Sequence, residues 1–261
     1  MESTDVGHAA RRVNDHPATT ALARLGYAAS GVLHLVLGLI AVQVAWFESS
    51  TSADQSGALS TLASQPFGQV ALWVVTIGFA GLAVWNATEA FSAGADAGDR
   101  VKSAAKAVLY AVLAWSAFAF ARGSSGSSSD QSQDLTANLM SKPGGRVLVA
   151  VVGLVVVGVA IYHVHKGWTR KFLQDLQENP GRFVVAAGRF GYVAKGVALA
   201  IVGGLFVTAA LHARPDEAGG LDAAFRTLAD QPFGAVLLTL VAAGFIAYGV
   251  YSFGRARYAR T

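Results

Sequence analysis

The amino-acid sequence predicts an all-α integral membrane protein. Six transmembrane helices form three tandem two-helix repeats about a pseudo-threefold axis, with short interfacial helices in the outer loops. Three observations carry this. Of 261 residues, 53% are hydrophobic and only 14% are charged, against about 25% charged in soluble domains. Six apolar runs reach the roughly 20 residues that a bilayer crossing needs. One motif is stated twice, as "TLASQPFGQVAL" (61–72) and "TLADQPFGAVLL" (227–238).

A chain so poor in charge cannot cover a water-facing surface, so lipid has to take its apolar groups. The runs are Leu25–Phe47, Phe67–Phe91, Ser103–Ala121, Gly145–His165, Phe190–Leu211 and Phe233–Phe253. Their length excludes strands, and their Gly and Ala content suits helices that pack closely in lipid. Within the hydrocarbon each backbone amide has to bond inside its own segment, which also favours helices. The first 20 residues are polar and lack the apolar core and cleavage site of a signal peptide, so the first helix is expected to act as the insertion signal. The chain has no Cys, which excludes disulfides, thiolate chemistry and Cys-ligated metals.

Orientation follows from Lys and Arg. Fifteen fall on the side of the two termini and five on the other. Both termini are therefore expected in the cytoplasm, with residues 1–21 as a polar cytoplasmic arm. The basic residues then act as topology signals and headgroup partners. Membrane lipids are the expected partners, together with a second membrane-protein complex. Nucleic acid is not expected, because basic and aromatic residues are not interleaved on one surface.

The doubled motif belongs to a threefold repeat. Anchored on Pro66, Pro143 and Pro232, the copies keep Gly68, Gly145 and Gly234, and an aromatic nineteen residues on: Trp85, Tyr162 and Tyr251. Upstream, "RLGYAASG" (24–31) matches "RFGYVAKG" (189–196), with "RVKSAAKA" (100–107) as a worn middle copy. The repeats are read as residues 22–94, 98–170 and 187–259. Each is a helix out, an outer loop and a helix back. Pro at the first turn of the returning helix costs nothing there, because its missing N–H would be unpaired anyway. Leu221, Ala224, Phe225 and Leu228 have the spacing of an amphipathic surface helix.

The pieces "RLGYAASGVLHLVLG", "SQPFG", "YHVHKGWTRKFLQDL" and "GRFGYVAKGVALAIVGG" resemble the bacterial integral-membrane family catalogued as domain of unknown function 1206. The resemblance runs from about Leu22 to Tyr258. It implies tandem two-helix repeats and a location in the bacterial cytoplasmic membrane. That family has no established activity, so it assigns no catalytic residue.

Ionisable residues within spans are functional candidates by default. Glu89 stands where the other copies have Lys166 and Arg255, and Lys106 and Lys195 stand where the first has Ser30. All five charged groups are expected near the cytoplasmic interface, with Glu89 paired to Lys195 or the long side chains snorkelling. His34 and His163 join Glu89, Lys106 and Lys195 as the candidate polar site. His163 and His165 are two apart and face different sides of a helix, and His34 is expected deeper than His163, so neither haem nor metal is expected. Gly26, Gly31 and Gly38 keep the spacing of Gly191, Gly196 and Gly203 and read as helix contact faces. "SSGSSSDQSQD" (124–134) reads as a flexible outer loop.

The functional expectation is a structural or accessory membrane protein, a scaffold or modulator without turnover. The alternative is a small-molecule or ion transporter or channel along the repeat axis, which would need Gln43, Thr76, Ser116, Thr208 and Thr239 to converge. An enzyme is not expected, since no nucleophile, metal cluster or phosphate loop is present.

Overall fold

The computed structural model describes residues 16–47, 50–91, 96–124, 126–177 and 180–259. The described helices, in chain order, are α1 (Pro17–Trp46), α2 (Gln55–Ala63), α3 (Gly68–Ala90), α4 (Ala97–Ala121), α5 (Ser128–Met140), α6 (Gly145–Trp168), α7 (Gly181–His212), α8 (Gly220–Ala229) and α9 (Gly234–Tyr258). Six of them, α1, α3, α4, α6, α7 and α9, are long and apolar enough to cross a membrane. The short helices α2, α5 and α8 sit at one end, here the short-helix face. The opposite end, where α1 starts and α9 finishes, is the terminal face.

Several helices start earlier than their apolar runs. The first begins at Pro17, capped by the His16 imidazole, which accepts from the Ala18 N–H at 3.2 Å. The expected arm therefore ends inside α1, and residues 1–15 lie outside the described residues. In α4 the Asp96 carboxylate accepts from the Asp99 N–H at 2.7 Å and so starts the helix one polar turn below the lipid. These extensions were invisible to a hydropathy argument because they are polar helix.

The expected loop at 124–134 is corrected: from Ser128 onward it is α5. Its Ser127 cap accepts from the Asp130 N–H at 3.1 Å. Ser129 is buried between Asp54 Oδ2, 3.4 Å away, and the Gly219 carbonyl. A serine-rich stretch becomes ordered here because tertiary partners take its hydroxyls.

The role given to the repeated proline is also corrected. Pro66 precedes α3 and occupies the second position of a type II turn, Gln65-Pro66-Phe67-Gly68. The turn is closed by the Gly68 N–H on the Gln65 carbonyl at 2.8 Å, and Phe67 is left-handed at φ 65°. Lys142–Gly145 and Gln231–Gly234 repeat it, closed at 2.9 and 2.7 Å. Pro suits the second position of such a turn and a left-handed residue the third. The fourth is Gly because a Cβ there would strike the last carbonyls of the preceding short helix: Leu62 O, Leu139 O and Ala229 O.

The packing follows the repeat. Each returning helix packs most extensively on the outgoing helix of the next unit: α3 on α4, α6 on α7, and α9 on α1. The equivalent glycines do equivalent work. A Cβ at Gly31 or Gly38 would meet the α9 backbone, and one at Gly196 or Gly203 the α6 backbone. Links inside a unit close the ring in the first and third copies, α1 to α3 and α7 to α9. There Gly26 lies against the Gly78 carbonyl, and a Cβ at Gly191 would come 2.6 Å from the Tyr248 backbone nitrogen.

The middle unit differs. Lys102 stands where Gly26 and Gly191 do, and Val155 where Gly78 and Gly244 do. With both points of close approach lost, α4 and α6 lack the packing that joins α1 to α3 and α7 to α9. Only 17% of the apolar stretch of α4 and of α6 is buried, against 39–50% in the other four. The ring has a seam.

Helix ends are tied in the same register. Three residues after its proline, Gln69 donates to the Ala121 carbonyl at the end of α4. In the next unit Arg146 donates to the Ala210 and Leu211 carbonyls of α7 at 2.9 and 2.7 Å. At the third junction Trp46 Nε1 donates to Thr239 Oγ at 2.8 Å.

Candidate functional site

The ionisable residues inside the bundle gather toward the terminal face. Of the site residues expected from sequence, His34, Lys106, Lys195 and His163 lie toward that face on α1, α4, α7 and α6, and Glu89 stands near its end of α3. The upper layer is His34, Lys195 and Tyr248. His34 Nδ1 lies 2.7 Å from the Ser30 carbonyl. Its Nε2 is 3.2 Å from Lys195 Nζ, which sits 4.5 Å from the centre of the Tyr248 ring. His34 is twelve residues from the Trp46 end of α1, about 18 Å along the helix, near the middle of a bilayer.

The lower layer is formed by Lys166, Asp175, Arg255 and Tyr27. Lys166 Nζ pairs with Asp175 Oδ2 at 2.6 Å and lies 5.4 Å from the Tyr192 ring centre. Arg255 lies 4.1 Å over the Tyr27 ring and donates from Nη2 to its hydroxyl at 3.0 Å. Three cations are thus each seated on a tyrosine face, a contact that strengthens where water is excluded. Arg255 Nε is buried and has no hydrogen-bond partner among the described residues.

A floor closes the layer below. After α6 the chain turns through Arg170, left-handed at φ 56°, into a 3-10 turn over Lys171–Asp175. Fully buried Phe172 stacks on Tyr192 at 5.5 Å and meets Tyr251 edge-on at 5.2 Å. The Gln177 N–H then donates to the Tyr258 carbonyl at 2.8 Å, tying the floor to the end of α9. The segment "YHVHKGWTRKFLQDL" therefore supplies His163, Lys166, Phe172 and Asp175 to one place.

Lys106 is exposed on α4, one turn from buried Ser103, and lies within electrostatic reach of Arg255, Lys166 and Asp175. His163 Nδ1 turns to the Val159 carbonyl at 2.8 Å, and its ring lies 5.8 Å from Tyr192. The two imidazoles do not face each other. Among the described residues no three His, Asp or Glu side chains converge as a metal site would require. Lys195 is held by His34 and Tyr248, and Glu89 stands near the end of α3 on the same face.

Asp175, Tyr27, Tyr192 and Tyr248 complete the cluster beyond the site residues expected from sequence. A signal existed for two of them: Tyr27 and Tyr192 hold the same place in "RLGYAASG" and "RFGYVAKG". No signal marked Asp175, which reaches Lys166 only because the chain folds back after α6.

Thr76, Thr208 and Thr239 turn their hydroxyls to carbonyls of their own helices, those of Leu72, Leu205 and Ala235. Gln43 is exposed. At the short-helix face the three units are knotted together. Asp54 is 3% exposed and accepts from Ser56 Oγ at 2.5 Å and from the Gly57 N–H at 3.1 Å. The Ser128 N–H donates to Ser56 Oγ at 3.0 Å, and the Ala53 N–H to Asp222 Oδ1 at 2.6 Å.

The profile of one family matches the chain three times, over residues 25–93, 101–170 and 190–259, and its description is Domain of Unknown Function (DUF1206). The chain belongs to the DUF1206 family. It is also 30% identical over 249 residues to the uncharacterized protein YxxB of Bacillus subtilis (strain 168), a match covering 90% of this chain and 89% of that one. No solved structure matches it. This DUF1206 chain is a multi-pass membrane protein of bacterial kind, and each of its repeats contributes residues to the cluster: His34 from the first, Lys106 and Lys166 from the second, Lys195 and Arg255 from the third.

Proposed function

We propose that this protein is an accessory or scaffold protein of the bacterial cytoplasmic membrane, without turnover of its own. In this reading both termini lie in the cytoplasm and the cluster lies toward the cytoplasmic side, behind the Phe172 floor. The observation that carries it is the uneven depth of polarity. The cations and tyrosines end near mid-bilayer, the hydroxyls beyond them are satisfied within their own helices, and the short-helix face is knotted through Asp54 and Ser129. A translocation path needs polar groups on both sides of the binding level; a holding site needs them on one. Enzymatic turnover is not part of the proposal, because the cluster offers cations and imidazoles but no activated nucleophile.

The test uses the natural absence of cysteine. Lys195→Cys in sealed vesicles should not react with a charged, membrane-impermeant thiol reagent supplied on the side of the short-helix face. Reaction from both sides would favour the second reading, a transporter or channel, for which the ionisable side chains that the three repeats send toward one face are the supporting observation.

A further inference from the structure

We propose that a cavity at the terminal-face end of the α6–α7 joint binds an anionic phospholipid, whose phosphate is held by Arg170, Arg182 and Arg189. The cavity has a volume of about 680 Å³, and all three arginines line it, with Trp168 and Phe190 among its apolar walls. Among the described residues no Asp or Glu lines it, and none of the three guanidiniums is in an ion pair. Of the neighbouring acids, Asp175 is engaged by Lys166 at 2.6 Å, and Glu89 belongs to α3, which packs on α1 and α4. Glu178, four residues before Arg182, lies outside the described residues. One carboxylate against three guanidiniums leaves two, which exceeds the single charge of a phosphodiester.

The arginines are placed for such an anion. The planar guanidinium matches a phosphate with two parallel N–H donors. Arg189 lies 5.1 Å over the Trp168 ring, which orients it. Arg170 is left-handed at φ 56°, just past a helix end where glycine is the ordinary choice. Backbone strain is thus accepted for a side chain that lines the cavity.

Level and surroundings select a lipid. Trp168 lies 23 residues from the start of α6, and Arg189 lies 23 from the end of α7. Both distances are about 34 Å, just beyond a hydrocarbon core of about 30 Å, so both residues stand at headgroup height. Toward the membrane interior an apolar groove of about 670 Å³ runs along the same joint, with Trp168 common to groove and cavity. Ile161 and Val197 of the groove are 64% and 41% exposed, so it faces the acyl chains. Its base is closed where Gly196 meets α6, because a Cβ there would come 2.8 Å from the Ala160 carbonyl. Ala200, also in the groove, is eleven residues deeper than Arg189. That is about 16 Å, half the hydrocarbon thickness and the depth that an acyl chain of one leaflet spans. A headgroup among the arginines therefore has a seat for one of its own tails directly beneath it. The assignment rests on this cavity and groove, and it holds whether or not the protein turns anything over.

The experiment is native mass spectrometry of the full chain released from nanodiscs of equal phosphatidylglycerol and phosphatidylcholine. The expected result is about one retained phosphatidylglycerol per chain, with apparent affinity at least about tenfold above phosphatidylcholine. Arg170→Gly with Arg182→Gln should remove most of that preference. Arg122→Gln with Lys142→Gln, which takes two charges from the short-helix face, should leave it unchanged. In lipid-free detergent Arg170→Gly should be no less heat-stable than the parent, since glycine relieves the left-handed backbone, so a preference lost there is lost binding. Ala200→Trp, on an exposed position, should lower retention by filling the groove without touching a charge. Equal retention of the two lipids, an equal loss in the two charge-removing pairs, or retention untouched by Ala200→Trp overturns the proposal. Inorganic phosphate that protects the detergent-solubilised chain against heat, with phosphatidylglycerol adding nothing, would assign the arginines to a soluble anion and overturn it equally.

Discussion

Gly144 and Gly145 are neighbours in one turn and answer to different forces. Gly144 is left-handed at φ 76° and has open space where a Cβ would go, whereas a Cβ at Gly145 would collide with the Leu139 carbonyl. In the other two copies Phe67 and Phe233 take the left-handed position and stand 85% and 84% exposed. They accept backbone strain of about 1–2 kcal/mol in exchange for an aromatic ring at the membrane interface. Gly144→Ala should therefore lower stability by only about 1 kcal/mol, and Gly145→Ala by at least twice that, read from thermal unfolding in detergent. Equal losses would mean that backbone conformation, not contact, selects glycine at both. Asp54 is the other decisive single residue. It caps α2 and joins that helix to Ser129 of the next unit, so Asp54→Ala should cost roughly 2–3 kcal/mol by the same measurement. Neither the glycine collision nor the burial of Asp54 was legible in the sequence. The motif announced its own importance, but what the motif touches lies on another segment.

At the scale of elements, the junction between units is the recurring device. Arg146 places a guanidinium on the carbonyls that end α7, where the helix dipole is negative and the last carbonyls lack helical partners. Arg146→Met should destabilise the α6–α7 pair by about 1–2 kcal/mol. Hydrogen exchange should quicken at the end of α7 and leave the α9–α1 junction, tied instead by Trp46 and Thr239, unchanged. The existence of all six spans was legible from composition and run length, because a helix in lipid is a local solution to backbone hydrogen bonding. Their ends were not. The polar turn Ala97–Lys102 continues α4 beyond the hydrocarbon, α7 runs on through Arg182 and Arg189, and α5 draws its order from the Gly219 carbonyl and Asp54 rather than from its own composition.

For the whole molecule, the ring that the repeat implies is complete at five joints and open at the sixth. Lys102 and Val155 replace the glycines that close the equivalent joints, and two residues suffice because close helix approach in lipid depends on small side chains at the crossing. Lys102→Gly with Val155→Gly should draw α4 toward α6. Spin labels on Val112 and Val152 should then report a shorter separation by electron–electron distance measurement, and an unchanged distance would mean that something other than those two side chains holds the seam open.

The sequence by itself determined the solvent, the six spans, the threefold repeat and the family, since each depends on composition or on spacing along the chain. Its repeat alignment even carries the seam, in the two positions where glycine is lost. Only the tertiary structure decided that His34, Lys106, Lys166, Lys195 and Arg255 share one place, that Asp175 returns beneath them, and that Lys195 rests on His34. Those meetings depend on which helix lies beside which, and in a bundle that choice is made by side-chain fit between segments far apart in the chain.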